Sequence, residues 1–228
     1  MKNFLTALSV VFFFGAVAQN AVDNPVTDDY LTNTNITLVD KVTYAGTPYA
    51  EEEFQSGNIY KNGKLVASNV SLRYNVLRDE MEVKSSASMA DAQAKILKRD
   101  KDIYVRSLND VYVYMKSSNE EIASGYFKVL YEGEKFHLYQ KLTKEFIEGK
   151  KAINSVARDI PPTYKGDEEL YLIPVNGTPI ELSGSRNRKL KAFPSHNKEL
   201  KKYVKQNNLN INKDYSLEKL VAYYNTLK

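Results

Sequence analysis

Few residues of this chain have both the type and the spacing that chemistry requires. There are two histidines: His137, within a strand-like run, and His196, where a helix is expected to begin. No histidine pair has the close spacing of helical metal sites, and the absence of cysteine excludes thiolate nucleophiles and thiolate zinc sites. We therefore expect no metal and no cofactor, and we interpret His137 as an outward-facing strand residue.

The motifs of the common enzyme classes are also absent. The sequence has no G-x-S-x-G nucleophile elbow, no phosphate-binding P-loop and no G-x-G-x-x-G dinucleotide motif. Asp79 and Glu80 are adjacent carboxylates, but they share a predicted tight turn, where solvation is the usual state. A glycosidase needs two carboxylates that face each other across a cleft. We expect a protein that is not an enzyme and keep a glycosidase as the third alternative.

The clearest charge pattern is a run of lysines near the C-terminus. Four lysines at i, i+3, i+4 and i+7 form what we call the basic stripe: Lys198, Lys201, Lys202 and Lys205. From Arg186 onward there are eleven Lys/Arg against three Asp/Glu, a balance of +8, whereas residues 19–184 have twenty against twenty-five, a balance of −5. Such asymmetry is consistent with an anionic partner, an envelope protein or an anionic lipid surface, although charge runs more often only solvate a helix.

The first residues predict export. Lys2 precedes an apolar run from Phe4 to Val17, and the small residues of Ala16-Val17-Ala18 are typical of a signal-peptidase site. The run is shorter than the roughly 20 residues of a membrane-spanning helix. Without cysteine the chain cannot be a lipoprotein, so we expect a soluble periplasmic or secreted protein with no transmembrane segment. Nucleic acid is not an expected partner.

The middle of the chain predicts a mainly β (α+β) fold. Residues alternate between apolar and polar types from Val70 to Val76, the period of a half-buried strand, and Arg73 on the opposite face is a candidate partner contact. Asn62-Gly63 and Asn176-Gly177 predict hairpins. Strand-like runs recur every 8–12 residues or so, which is typical of an antiparallel sheet, a sandwich or a partly closed barrel.

The pattern changes to helical spacing near residue 185. Leu217, Leu220 and Tyr224 recur at i, i+3 and i+7, which predicts the last helix of the chain. Ser195 is a candidate N-cap for the predicted helix before it. We therefore expect a C-terminal helical pair packed on the sheet, with a shorter helix possible before it. The predicted parts are a signal peptide (1–18), a flexible leader (19–34), an antiparallel β domain (35–184) and C-terminal helices (185–228).

Four stretches carry a resemblance to a known group of proteins. They are "AGTPYAEEEFQSGNIY", "LRYNVLRDEMEV", "SGYFKVLYEGEKFHLYQK" and "LEKLVAYYNTL". In this order they resemble a group of exported β-rich proteins of Bacteroidota-type bacteria. The resemblance implies a bacterial origin and an exported compartment. The group has no established activity, so the resemblance implies no site residues.

These observations leave three functional hypotheses. The favoured one is a non-enzymatic, exported periplasmic protein that binds a protein partner or contributes to envelope assembly. The second is a periplasmic carrier that holds a lipid or another apolar ligand in a cavity between sheet and helices. The third is an enzyme such as a glycosidase.

Overall fold

The computed structural model describes residues 28–38, 44–116, 124–152 and 158–228. The predicted signal peptide lies outside these ranges. The fold is mainly β, with helices at the C-terminal end, which confirms the fold class that the sequence predicts.

Eleven strands form one antiparallel sheet. They are β1 (Leu31–Asn35), β2 (Gln55–Lys61), β3 (Lys64–Asn75), β4 (Glu80–Lys84), β5 (Lys95–Leu97), β6 (Ile103–Ser107), β7 (Asp110–Met115), β8 (Gly125–Tyr131), β9 (Phe136–Ile147), β10 (Thr163–Pro174) and β11 (Ile180–Glu181). The spatial order is β1-β5-β4-β3-β2-β6-β7-β8-β9-β10-β11. Most strands therefore pair with a neighbour in sequence, as in a meander.

The sheet curls but does not close. In the described part of the chain, β1 and β11 occupy opposite ends of the strand order and do not pair. The curl is nevertheless strong, because Asp79 in the β3–β4 turn accepts a hydrogen bond from the backbone N–H of Tyr126 in β8, at 3.0 Å. Tyr74 and Tyr126 also meet inside the curl, with ring centroids 5.8 Å apart. Of the predicted architectures, an open, curled sheet is the one observed.

The end of β3 is buried on both faces, whereas the sequence predicts a half-buried strand. Val70, Leu72 and Tyr74 face the main core, as the alternation indicates. The opposite face is also covered, because residues 44–54 run alongside the end of β3 and place the Tyr49 and Phe54 rings over Arg73. In that segment Tyr49 pairs with Asn75, and the Ala50 N–H donates to the Tyr74 carbonyl at 2.9 Å.

The predicted flexible leader is ordered at its end. Asp28–Tyr30 form a 3-10 turn, and the strand that follows pairs with β5, with Leu31 opposite Leu97. Tyr30 is only 3% exposed and belongs to the main core. The backbone of this segment finds its partners on a distant strand, which local composition does not reveal.

Both predicted Asn-Gly hairpins are confirmed, but their turns differ. Asn62 (φ 50°) and Gly63 (φ 73°) both lie in the left-handed region, as a tight two-residue turn between β2 and β3 requires. The second hairpin pairs Leu172 with Ile180. It uses a five-residue connection, so it does not need the same backbone geometry.

Three helices follow the sheet. Two of them are the predicted helical pair, and the short helix that the sequence also suggests lies before them. They are α1 (Arg186–Ala192), α2 (Asn197–Gln206) and α3 (Asp214–Thr226). The predicted N-cap at Ser195 is wrong, because His196 occupies that position in a left-handed conformation (φ 59°). The Ser195 hydroxyl instead lies 3.1 Å from the Tyr224 hydroxyl of α3.

Candidate functional site

The helices form a platform that is fixed to one end of the sheet. Leu200 of α2 and Leu220 of α3 share one core cluster with Leu138 of β9 and Leu172 of β10, and all four are 0% exposed. Asn225 adds polar contacts to β9: its side-chain oxygen accepts from the Phe136 N–H at 3.0 Å, and its amide nitrogen donates to the Phe136 carbonyl at 3.0 Å. Side chains on the outside of this platform are therefore held at a fixed place.

The basic stripe lies on the exposed face of α2. Leu200 and Val204 are buried at 0% exposure, and the four stripe lysines lie on the other side of the helix, where all are exposed. None of the four has an ion-pair partner among the described residues, and Glu199 is the single acidic residue in Arg186–Gln206. The amphipathic pattern thus positions four uncompensated positive charges along about two turns.

A concave site adjoins one end of the stripe. Its volume is about 310 Å³, and we call it the basic pocket. Its lining residues are Arg186, Val204, Lys205, Asn208, Leu209 and Asn210. Lys205 belongs to both the stripe and the pocket, whereas Arg186 comes from the start of α1. The sequence prediction included Lys205 but not the pocket, because the α1 residue and the α2–α3 connection meet only in the folded chain.

Arg73 lies apart from the basic stripe, in a buried charge network on β3. Its Nη2 and Nε donate to Glu82 Oε2 at 2.8 and 3.0 Å, and its Nη1 donates to Asp91 Oδ2 at 3.2 Å. Its guanidinium carbon lies 4.0 Å from the ring centroids of both Tyr49 and Phe54. The side chain is 7% exposed. The structure therefore does not bring this candidate contact together with the lysines.

The network around Arg73 joins four charged side chains, of which Asp91 is the exposed member, at 45%. Glu82, whose side chain is 1% exposed, also accepts from Asn75 Nδ2 at 3.3 Å. Lys84 Nζ donates to the second oxygen of Asp91 at 3.0 Å. Burial raises the pKa of the Glu82 carboxyl, although the Arg73 guanidinium acts in the opposite direction. Two positive and two negative groups thus balance each other, which indicates a structural role.

Asp79 is a second, partly buried link that the sequence does not predict, with a side chain that is 25% exposed. It is not the solvated turn residue that its place beside Glu80 suggests. Its Oδ1 accepts from the Tyr74 hydroxyl at 2.6 Å and from Lys141 Nζ at 2.8 Å, in addition to the Tyr126 N–H. Burial and the neighbouring Asp79 raise the pKa of Tyr74, so its hydroxyl stays a donor. A Cβ at Gly125 would collide with both Lys141 Nζ and Asp79 Oδ2, so the close packing of this link favours glycine there.

A pair of carboxylates meets at Gln140 of β9. The buried Gln140 Nε2 donates to Glu168 Oε2 at 2.9 Å and to Asp214 Oδ2 at 3.3 Å. Burial, and then Asp214, raise the pKa of nearby Glu218. Across the described residues, no group of three or more acidic or histidine side chains has the geometry of a metal site. The pair is held by one amide, an arrangement that fastens α3 to the sheet.

Among the residues that the structure describes, neither histidine joins a cluster of chemically active groups. His137 lies in β9, half-buried, and its Nδ1 accepts from the Gly133 N–H at 3.3 Å. His196 precedes α2, with its ring centroid 6.3 Å from that of Tyr224. Both contacts are with neighbouring structural groups.

The carrier hypothesis requires an apolar cavity between sheet and helices. Among the concave sites on the described part of the chain are four of about 310 to 600 Å³, and none of these four is lined by both sheet and helix residues. The leucines at that interface are fully buried against each other.

In the part of the chain that the structure describes, no helix is both long and apolar enough to cross a membrane. Comparison with known proteins yields no match to this chain, whether with family models, with curated proteins or with solved structures.

Proposed function

We propose that this chain is an exported, non-enzymatic protein that binds an acidic protein partner through the basic stripe, in the assembly of a bacterial cell envelope. The observation that carries the proposal is the stripe itself. Its four lysines are exposed, lie on one helix face and have no ion-pair partner among the described residues.

The position of the stripe supports this role. Long lysine side chains on a mobile segment lose much conformational freedom on binding, whereas α2 is already fixed through Leu200 and Val204. A partner with carboxylates at matching intervals would meet charges whose backbone positions are set. Only the lysine side chains would then become ordered on binding.

The charge balance of the whole chain also supports the proposal. The body from residue 19 to 184 has a balance of −5, and the C-terminal part has +8. An acidic partner would be attracted to the helices and repelled by the body, which orients the encounter. Charges at the edge of an interface act mainly on the association rate, and salt weakens them.

The test is affinity capture from the envelope fraction of the native host, with the purified chain as bait. The variant carries Lys198→Glu, Lys201→Glu, Lys202→Glu and Lys205→Glu. We expect it to lose most of the capture of a discrete acidic protein that the unmodified chain retains, and we expect the retained protein to be released between low and roughly 0.5 M salt.

The matched control changes four exposed lysines outside the stripe to glutamate: Lys64, Lys116, Lys150 and Lys228. It has the same net charge as the stripe variant. A difference in capture between the two variants therefore reports where the lysines lie and not the total charge. Equal loss of capture in both variants, or unchanged capture in the stripe variant, would overturn the proposal.

A further inference from the structure

We infer that the basic pocket is a binding site for a single oxyanion, a carboxylate or a phosphate group. This inference rests on the proposed function, because it names the group of the partner that the positive helical surface would recognise. The pocket is formed by Arg186 at the start of α1, Lys205 at the end of α2, and Asn208 and Asn210 in the connection to α3.

The floor of the pocket is rigid. Val204 is 0% exposed and Leu209 is 8% exposed, and both belong to the core under the helices. The connection is fixed by backbone hydrogen bonds: the Leu209 N–H donates to the Val204 carbonyl at 3.0 Å, and the Lys213 N–H donates to the Asn210 carbonyl at 2.8 Å. Asn208 takes a left-handed conformation (φ 50°) that asparagine tolerates.

The polar groups that line the pocket are donors with few acceptors. Within the described residues, the side chains of Arg186, Lys205 and Asn208 have no hydrogen-bond or ion-pair acceptor, and the pocket is lined by no carboxylate. The side-chain oxygen of Asn210 accepts from the Asn212 N–H at 3.2 Å, which leaves its NH₂ group as the free end. Such a set of donors fits an oxyanion, and a guanidinium can bind one with two parallel hydrogen bonds.

The C-terminal end of α2 lies beside the pocket, and its carbonyl groups would disfavour an anion. These carbonyls are already engaged. The Tyr203 carbonyl accepts from both the backbone N–H and the side-chain amide of Asn207, at 3.0 and 2.9 Å. The Val204 carbonyl accepts from Leu209, and the Lys205 carbonyl from the Asn208 N–H at 3.4 Å. The positive charges of Arg186 and Lys205 therefore dominate the electrostatic field in the pocket.

The experiment is a titration of the ¹⁵N-labelled chain with inorganic phosphate at constant ionic strength, followed by NMR. We expect saturable shifts of the backbone and side-chain amides of Asn208 and Asn210. Arg186→Gln should weaken phosphate binding at least about tenfold, since it removes charged hydrogen bonds to the ligand. Arg188→Gln is the matched control, because this exposed arginine lies one half-turn along α1 and does not line the pocket.

A second titration distinguishes the two sources of the oxyanion. A glutamate-rich peptide with blocked ends supplies carboxylates, and phosphate should compete with it at the same amides. Vesicles of neutral phosphatidylcholine, with and without anionic phosphatidylglycerol, test a lipid headgroup. Two results would overturn the site: amide shifts that stay linear in phosphate concentration, or an equal loss of phosphate affinity in Arg186→Gln and Arg188→Gln. Either result would mean that phosphate only screens the positive charge of the helices.

The triple variant Lys198→Glu, Lys201→Glu and Lys202→Glu separates this inference from the proposed function, because these three lysines do not line the pocket. If it loses partner capture and still binds phosphate, both proposals are supported. If it loses capture while the unmodified chain binds no phosphate, the pocket is refuted and the proposed function stands. If capture does not depend on the stripe while phosphate binds, the proposed function is refuted and the oxyanion site stands alone.

Discussion

Charged residues around Arg73 in the curled sheet are paired, whereas the stripe lysines on α2 are exposed. In the sheet, Arg73 binds both Glu82 of β4 and Asp91 of the turn that follows, and its guanidinium packs on the rings of Tyr49 and Phe54. On α2, four lysines are exposed without an ion-pair partner among the described residues. The same residue types therefore hold the fold together in one region and are available to another molecule in the other.

The difference follows from burial. A charge that is removed from water needs a partner with good geometry, and removing one member of such a pair leaves the other uncompensated. An exposed charge has no such requirement, and its contribution to stability is small. Substitutions in the two regions should therefore separate stability from binding.

The largest effect is expected at Glu82. Glu82→Gln removes the negative charge that Arg73 contacts in the interior, and we expect the free energy of unfolding to fall by about 3 kcal/mol. Urea denaturation measures it. The control is Glu145→Gln, because Glu145 pairs with Lys165 at 3.4 Å with both side chains more than 60% exposed. It should change the free energy by less than about 1 kcal/mol, and an equal loss in both variants would contradict the comparison.

The next largest effect is expected at Asp79, the link between the β3–β4 turn and β8. Asp79→Asn keeps a residue that tolerates the left-handed backbone (φ 53°) but leaves the buried Lys141 ammonium without its counter-charge. We expect a loss of about 2 kcal/mol in the free energy of unfolding.

Lys141→Met in the same background tests the cause of that loss. The double variant should recover part of the stability, because it no longer buries an unpaired charge. Strictly additive losses in the double variant would show that Asp79 acts only through its other hydrogen bonds.

A smaller, pH-dependent effect is expected where the helices meet the sheet. Burial, followed by Asp214, raises the pKa of Glu218. The folded state therefore holds this proton more tightly than the unfolded state. The resulting stability is present below the ordinary pKa of about 4.3 and is lost as the pH rises through the raised value.

Glu218→Gln cannot lose a proton, so the variant should match the unmodified chain near pH 4 and be more stable than it at pH 7. Urea denaturation at the two pH values measures the difference. An equal change at both would mean that Glu218 acts through packing and not through its charge.

The smallest effect on stability is expected on the stripe. Changing its four lysines to glutamine should leave the free energy of unfolding within about 0.5 kcal/mol of the unmodified chain, with any gain confined to low salt, where the lysines repel each other. Urea denaturation at low and high salt checks this. A large loss would place the stripe with the structural charges of the sheet.

Much of the fold could be predicted because its signals are local. The alternation from Val70 to Val76 specifies which side chains face the core, and Asn62-Gly63 specifies a turn by its backbone preference. The spacing of Leu217, Leu220 and Tyr224 specifies one face of α3. The stripe follows from the same helical period, so its exposure could also be expected from the sequence.

The sequence by itself thus determined most of the strands, the hairpins, the helices and the exposed lysines of α2, because each depends on residues that are close along the chain. Only the tertiary structure decided that Arg73 is buried, that Asp79 joins Lys141 and that Arg186 meets Lys205 around a pocket. These outcomes depend on the curl of the sheet, on the segment that pairs with the end of β3 and on how the helices dock. They join residues separated by many positions, and no periodicity in the sequence encodes such distances.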